Sequence, residues 1–179
     1  MDKIKTKKLV VCALFASICF VVTRFLSVPA LYTKGYVNLG DLVVLLTSYF
    51  VGGWYGALSA GIGAAIADAS MGYWAYVPAT FIIKAVMVLV SSCVLKKADG
   101  KSNIASLCLS VLACVLAEAI MVFGYFIYES VLYNSFAVAF ASVVGNVIQA
   151  TVCMVPTVML ITFFKNNSAF AKFVKTLHS

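Results

Sequence analysis

Four ionisable side chains stand inside strongly apolar sequence: Asp41, Asp68, Lys84 and Glu118. Two amides, Asn146 and Gln149, stand three positions apart in another apolar run. A charge in hydrocarbon surroundings is costly, and it is kept where it meets a partner, a cavity or a ligand. The chemistry open to these groups is ion pairing, proton carriage and hydrogen bonding to a small molecule. Asp68 and Lys84 flank the loop SMGYWAYVP, which sets their helices antiparallel. They are expected either to pair as a structural salt bridge or to form the polar floor of a binding cavity. Asp41 reads as structural. Glu118 has no nearby cation in sequence, which makes Lys84 one candidate partner. Asn146 and Gln149 share one helix face. Their amides donate and accept, so they serve interhelical bonding or the readout of a polar heterocycle.

Metal and nucleophile chemistry find little support. The single histidine, His178, lies at the C-terminal end, and none of the 6 cysteines forms a CxxC pair. Nearly all the cysteines fall in predicted helices, where they read as small apolar packing residues.

Aromatic residues gather in the segments expected on the outer side: Tyr36 in one loop, then Tyr73, Trp74 and Tyr76, then Tyr125, Tyr128 and Tyr133. Membrane interfaces favour such residues. Above Asn, Asp, Lys and Glu they also suit the walls of a lidded pocket for a small flat ring. Gly72 and Pro78 would fix the shape of the middle loop.

The elements that must position these groups are membrane helices. The chain has 179 residues, 64% hydrophobic and 11% charged, whereas a soluble domain carries roughly 25% charged residues. Several windows reach the ~20 apolar residues a span needs. An all-α integral membrane protein is expected, a single compact domain over 1–179 with six transmembrane helices at about 8–25, 39–52, 54–68, 77–96, 103–128 and 136–164. The second and third are short for full spans. Segments 1–7 and 165–179 are read as tails. The loop 26–38 carries Pro29, Gly35 and Asn38, KKADGKSN separates the fourth and fifth helices, and ESVLYNS separates the fifth and sixth. The basic start and apolar run resemble a signal peptide, but without a clear cleavage site, so 8–25 is read as a retained helix.

Lysine placement gives an orientation. Lys3, Lys5, Lys7 and Lys8 precede the first helix; Lys96, Lys97 and Lys101 follow the fourth; Lys165, Lys172 and Lys175 follow the sixth. Six spans with a cytoplasmic N-terminus place all of these inside, leaving Arg24 and Lys34 outside, as the positive-inside rule requires. The net charge of +7 is thereby explained without nucleic acid, since no aromatic-interleaved basic patch is present.

Small residues recur at four-residue spacing in GALSAGIGAAIAD, as Gly56, Ala60 and Ala64, Gly61 and Ala65, and Gly63 and Ala67. Such faces let helix backbones approach closely in lipid. The first helix has a similar face, pairing Cys12 with Ala16 and Ala13 with Ser17. It is available for internal packing or for another protein.

Taken together, NLGD at 38–41, GALSAGIGAAIAD at 56–68, GYWAYVPATFIIK at 72–84 and GNVIQ at 145–149 give a family resemblance. The chain resembles the substrate-binding S component of an energy-coupling factor (ECF) transporter, most of all the riboflavin-transporter-type group. The resemblance covers nearly the whole chain. It implies a non-enzymatic subunit of a bacterial plasma membrane that captures a vitamin or precursor outside. It also implies a membrane scaffold subunit and two cytoplasmic ATPases as partners, with ATP used by those ATPases and no cofactor on this chain. Reorientation of the S component then delivers the ligand inward. The family's scaffold-binding AxxxA maps onto Ala13 and Ser17, a conservative departure, with Cys12 and Ala16 beside it. The resemblance places ligand contacts at Asn38, Asp68, Tyr73, Trp74, Tyr76, Lys84, Glu118, Tyr125, Asn146 and Gln149. Pyridoxine, a hydroxymethylpyrimidine or a riboflavin-like ring fits this set, with the smaller rings preferred.

Three other readings compete. A stand-alone proton-coupled transporter would use Asp68 or Glu118 as carrier. An intramembrane enzyme would need a site that the sequence does not display. A structural membrane protein would tolerate loss of Lys84 and Asn146.

Overall fold

The computed structural model describes residues 3–29 and 36–178. Lys34 and Gly35, assigned above to the first outer loop, lie outside the described residues. The described chain folds as α1 (Lys3–Phe25), β1 (Ser27–Pro29), β2 (Tyr36–Asn38), α2 (Gly40–Phe50), α3 (Gly53–Ser70), α4 (Val77–Lys96), α5 (Asn103–Leu132), α6 (Phe136–Asn166) and α7 (Ser168–His178).

Four of these helices, α1, α4, α5 and α6, are long and apolar enough to cross a membrane. Six spans were expected. The difference lies in α2 and α3: α2 has 11 residues, about 16 Å at the helical rise, roughly half a hydrocarbon core. The all-α expectation holds, with one local addition. The predicted loop 26–38 contains an antiparallel hairpin, with Ser27 opposite Asn38 and Pro29 opposite Tyr36. The tails are helical as well: α1 already runs from Lys3, and α7 follows α6 after a short break. α7 turns Val174 and Leu177 inward and leaves Phe170 and Phe173 exposed.

The small-residue helix α3 is packed on two faces. A Cβ added at Gly63 would lie 2.4 Å from the Ala16 carbonyl oxygen, and one added at Gly61 would lie 2.9 Å from that of Phe81. One face therefore seats α1 and the other seats α4, with backbone contact that any side chain would prevent. The Ser59 hydroxyl donates to the Cys12 carbonyl at 2.6 Å on the α1 side. The core where α1 to α5 meet includes Cys19, Val43, Val44, Leu45, Ala60, Ala64, Met87, Val88, Ala117 and Met121. Serine caps start the two longest helices: Ser102 accepts from the Ala105 N–H and Ser135 from that of Val138. Each satisfies one otherwise orphaned donor.

Candidate functional site

The chain reverses at one end of the bundle through the hairpin, the α3–α4 loop and the α5–α6 turn. A cavity of about 360 Å³ lies among them. Its walls come from five elements: Val28, Pro29 and Tyr36 to Asn38 of the hairpin, Asp68 at the end of α3, Tyr76 and Thr80 at the start of α4, Tyr125 and Glu129 of α5, and one face of α6 from Ala141 to Gln149.

Each polar wall is held by named bonds. The Tyr36 hydroxyl donates to Asp68 Oδ1. Burial and the Asp68 charge raise the Tyr36 pKa well above its ordinary value, so the phenol keeps its proton and remains a donor. The other Asp68 oxygen, Oδ2, is buried with no hydrogen-bond partner among the described residues. Asn38 ties the hairpin to α6: its backbone N–H donates to Gln149 Oε1 at 2.7 Å, and its own Oδ1 accepts from the Gly40 N–H at 2.6 Å. Gln149 Nε2 in turn donates to Asp41 Oδ2 at 2.6 Å. Glu129 accepts from the Tyr76 hydroxyl at 2.9 Å and from Ser142. Thr80 and Tyr125 share a hydroxyl bond of 2.9 Å. Asn146 also lines the cavity.

Six of the side chains picked from sequence meet here: Asn38, Asp68, Tyr76, Tyr125, Asn146 and Gln149. Four do not reach the wall. Lys84 is turned to Asp41, with which it forms a buried salt bridge, and its ammonium lies 5.4 Å from the centre of the Tyr125 ring. The expected Asp68–Lys84 pair is thus replaced by Asp41–Lys84. Asp41 begins α2 and offers two oxygens in reach of α4 and α6, whereas Asp68 already accepts from Tyr36. Glu118 is buried near the middle of α5, and neither of its oxygens has a hydrogen-bond partner among the described residues. Its suggested bond to Lys84 does not form. Tyr73 packs against Tyr36 instead, with ring centres 5.1 Å apart and planes tilted by 40°. Trp74 is 70% exposed and points away.

The sequence and the fold correspond to a known type. The sequence profile described as "ECF-type riboflavin transporter, S component" matches residues 3–166. The chain belongs to this family of ECF S components. As an S component it is a transporter subunit and not an enzyme. The crystal structure of the S component for biotin from an ECF-type ABC transporter shares its fold, with a TM-score of 0.75 at 12% identity, over 97% of this chain and 98% of that one. An uncharacterized protein of Pyrococcus woesei is 29% identical over 130 residues, which are 73% of this chain and 82% of that protein.

Several lining residues of this S component escaped the sequence reading. Tyr36 belongs to the aromatics expected as an interfacial belt or as pocket walls, but it is absent from the expected ligand contacts, because its bond to Asp68 depends on a hairpin formed by two three-residue strands. Glu129 was placed in the loop ESVLYNS. α5 instead continues to Leu132, which carries Glu129 inward beside Ser142. The flanking Tyr125 and Glu129, four apart on one helix face, were the available signal. Thr80 shares a face with Tyr76 in the same way.

Proposed function

We propose that the S component captures a small ring-bearing vitamin or precursor in this cavity and passes it inward with a scaffold subunit and two ATPases. The observation that carries the reading is the buried Asp68 Oδ2, without a hydrogen-bond partner among the described residues, on the wall of an aromatic-lined cavity. A buried acceptor left without a donor is expensive, and a ligand hydroxyl, amino or ring N–H would satisfy it.

The lining limits the ligand's chemistry. Asp68 and Glu129 supply two carboxylates, and the described lining contains no Lys, Arg or His. This favours a neutral or cationic ring with donor groups over a carboxylate-bearing one. Tyr36, Tyr76 and Tyr125 offer ring faces, and Asn146 a flexible amide. The volume of about 360 Å³ lies near the small end of ligand sites, roughly 300–1,000 Å³. Pyridoxine or a hydroxymethylpyrimidine suits these features best, and a riboflavin-like ring is the larger alternative.

The lysines in the first turns of α1, at the α4–α5 junction, at the end of α6 and on α7 belong to the end of the bundle opposite the cavity. By the positive-inside rule that end is cytoplasmic and the cavity faces out. On α1, Ala13 and Ser17 are exposed, while Cys12 and Ala16 are partly covered by α3. The Ala13–Ser17 strip is the proposed scaffold contact.

The test is mass spectrometry of small molecules released from gently purified protein, followed by calorimetric titration of pyridoxine, hydroxymethylpyrimidine and riboflavin. A stoichiometric ring compound is expected. No retained ligand and no heat with any of the three would overturn the substrate reading. Uptake by the chain alone, driven by a pH gradient, would instead support proton carriage through Glu118.

A further inference from the structure

We propose that a second cavity, at the lysine-rich end of the bundle, binds a phosphate-bearing anion. This cavity has a volume of about 450 Å³ and lies among the ends of α2, α4 and α6, the α4–α5 loop, the start of α5, and α7. Lys96, Lys101, Lys165, Lys175 and His178 line it, against a single carboxylate, Asp99, among the described residues.

The positive-inside rule accounts for lysines at this end but not for their convergence on one cavity. Two features create that convergence. Lys165 is drawn inward, where its ammonium donates to Ser106 Oγ and Ser110 Oγ at 3.1 Å each. Those hydroxyls are neutral, so they orient the charge without cancelling it. The helix α7 is fastened by aromatic and aliphatic contacts, with the Phe170 ring 4.8 Å from that of Phe164 and with Leu177 buried. That docking delivers Lys175 and His178 to the cavity mouth.

Several ammonium groups around one polar hollow suit an anion with several oxygens, each able to accept from a different donor. Basic hollows between membrane helices at the aqueous boundary have this chemistry for phospholipid headgroups. The apolar flank formed by Leu95, Leu107 and Val174 fits the first methylenes of a lipid's acyl chains. The phosphate therefore comes either from such a headgroup or from a free phosphate in solution.

The experiment uses the full chain in a neutral detergent. Retention of phosphatidylglycerol and phosphatidylcholine of equal chain length is read by native mass spectrometry. Thermal stability is read in inorganic phosphate and in chloride at equal ionic strength. One retained phosphatidylglycerol with no phosphate-specific stabilisation assigns the site to a lipid. Stabilisation by phosphate beyond chloride assigns it to a free phosphate. The exposed pair Lys101→Gln with Lys175→Gln should weaken binding roughly fivefold per lysine removed, while Lys172→Gln, on α7 but off the cavity wall, should change nothing. Equal retention of both lipids, with phosphate no better than chloride, overturns the proposal. So does anion binding that Lys172→Gln reduces as much as the cavity pair.

Discussion

Lys84 donates to Asp41, 43 positions earlier in the chain, and Asp41 takes Gln149 on its other oxygen. One carboxylate therefore joins α2, α4 and α6 just inside the candidate site. The arrangement separates residues that shape the site from residues that face it.

Asp41→Asn should leave a buried ammonium without its counter-charge. Loss of one partner from a buried pair costs about 3–5 kcal/mol. Unfolding in mild detergent is expected at markedly lower temperature. The double change Asp41→Leu with Lys84→Met should recover much of the loss, because the desolvation penalty leaves with both charges. Recovery absent from the double variant would show that Gln149 depends on Asp41 more than Lys84 does.

Asp68→Asn and Asn146→Ala test the opposite property. Neither residue is the sole tie between helices, so ligand-free thermal stability should change little. Ligand affinity should fall by roughly tenfold or more, the cost of losing a buried hydrogen bond to a polar or charged partner. Calorimetry with the ligand identified by mass spectrometry reads this directly. Unchanged affinity in both variants would remove the cavity from consideration.

Tyr36→Phe removes the donor to Asp68 while keeping the ring. The Asp68 oxygen that Tyr36 served is then without that donor in the empty and the filled cavity alike, so affinity for a ligand with a single donor group should change little. A ligand with two donors can satisfy the freed oxygen and should gain, by up to about tenfold. Comparing two ligands on one variant separates this effect from a general loosening of the hairpin.

Two substitutions on opposite sides of the α1–α3 contact should part company. Gly63→Ala places a methyl against the Ala16 carbonyl, at the 2.4 Å separation described above, and should destabilise by about 1–3 kcal/mol or more. Ala13→Trp, on the exposed strip, should leave melting and ligand binding unchanged yet abolish ATP-driven uptake in cells carrying the full transporter. Normal uptake in Ala13→Trp would move the scaffold contact elsewhere on the surface.

Much of this was legible because apolar runs and their polar interruptions mark helices directly. The i, i+3 spacing of Asn146 and Gln149 gave a shared face and left interhelical bonding and ligand readout both open; both residues line the cavity, and Gln149 also bonds Asn38 and Asp41. Non-local choices were not legible. Lys84 had two aspartates available, and only the position of α2 decides for Asp41. Glu129 sits in a polar-looking septet whose first four residues the structure winds into helix. Trp74 shares a loop with Tyr73 and Tyr76, but its direction depends on the turn between α3 and α4. The short hairpin has too few residues for its alternation to stand out.

The bond between the Asn38 backbone and Gln149 fastens the hairpin to α6 at the edge of the cavity. Tyr36, two residues along the same strand, contributes to the cavity wall from the hairpin side. Any displacement that parts the hairpin from α6 must spend the fastening bond and strip a lodged molecule of one wall in the same stroke. Retention and closure thus share one mechanical coordinate, and a force applied to either helix or hairpin is felt at the ligand without an intermediary.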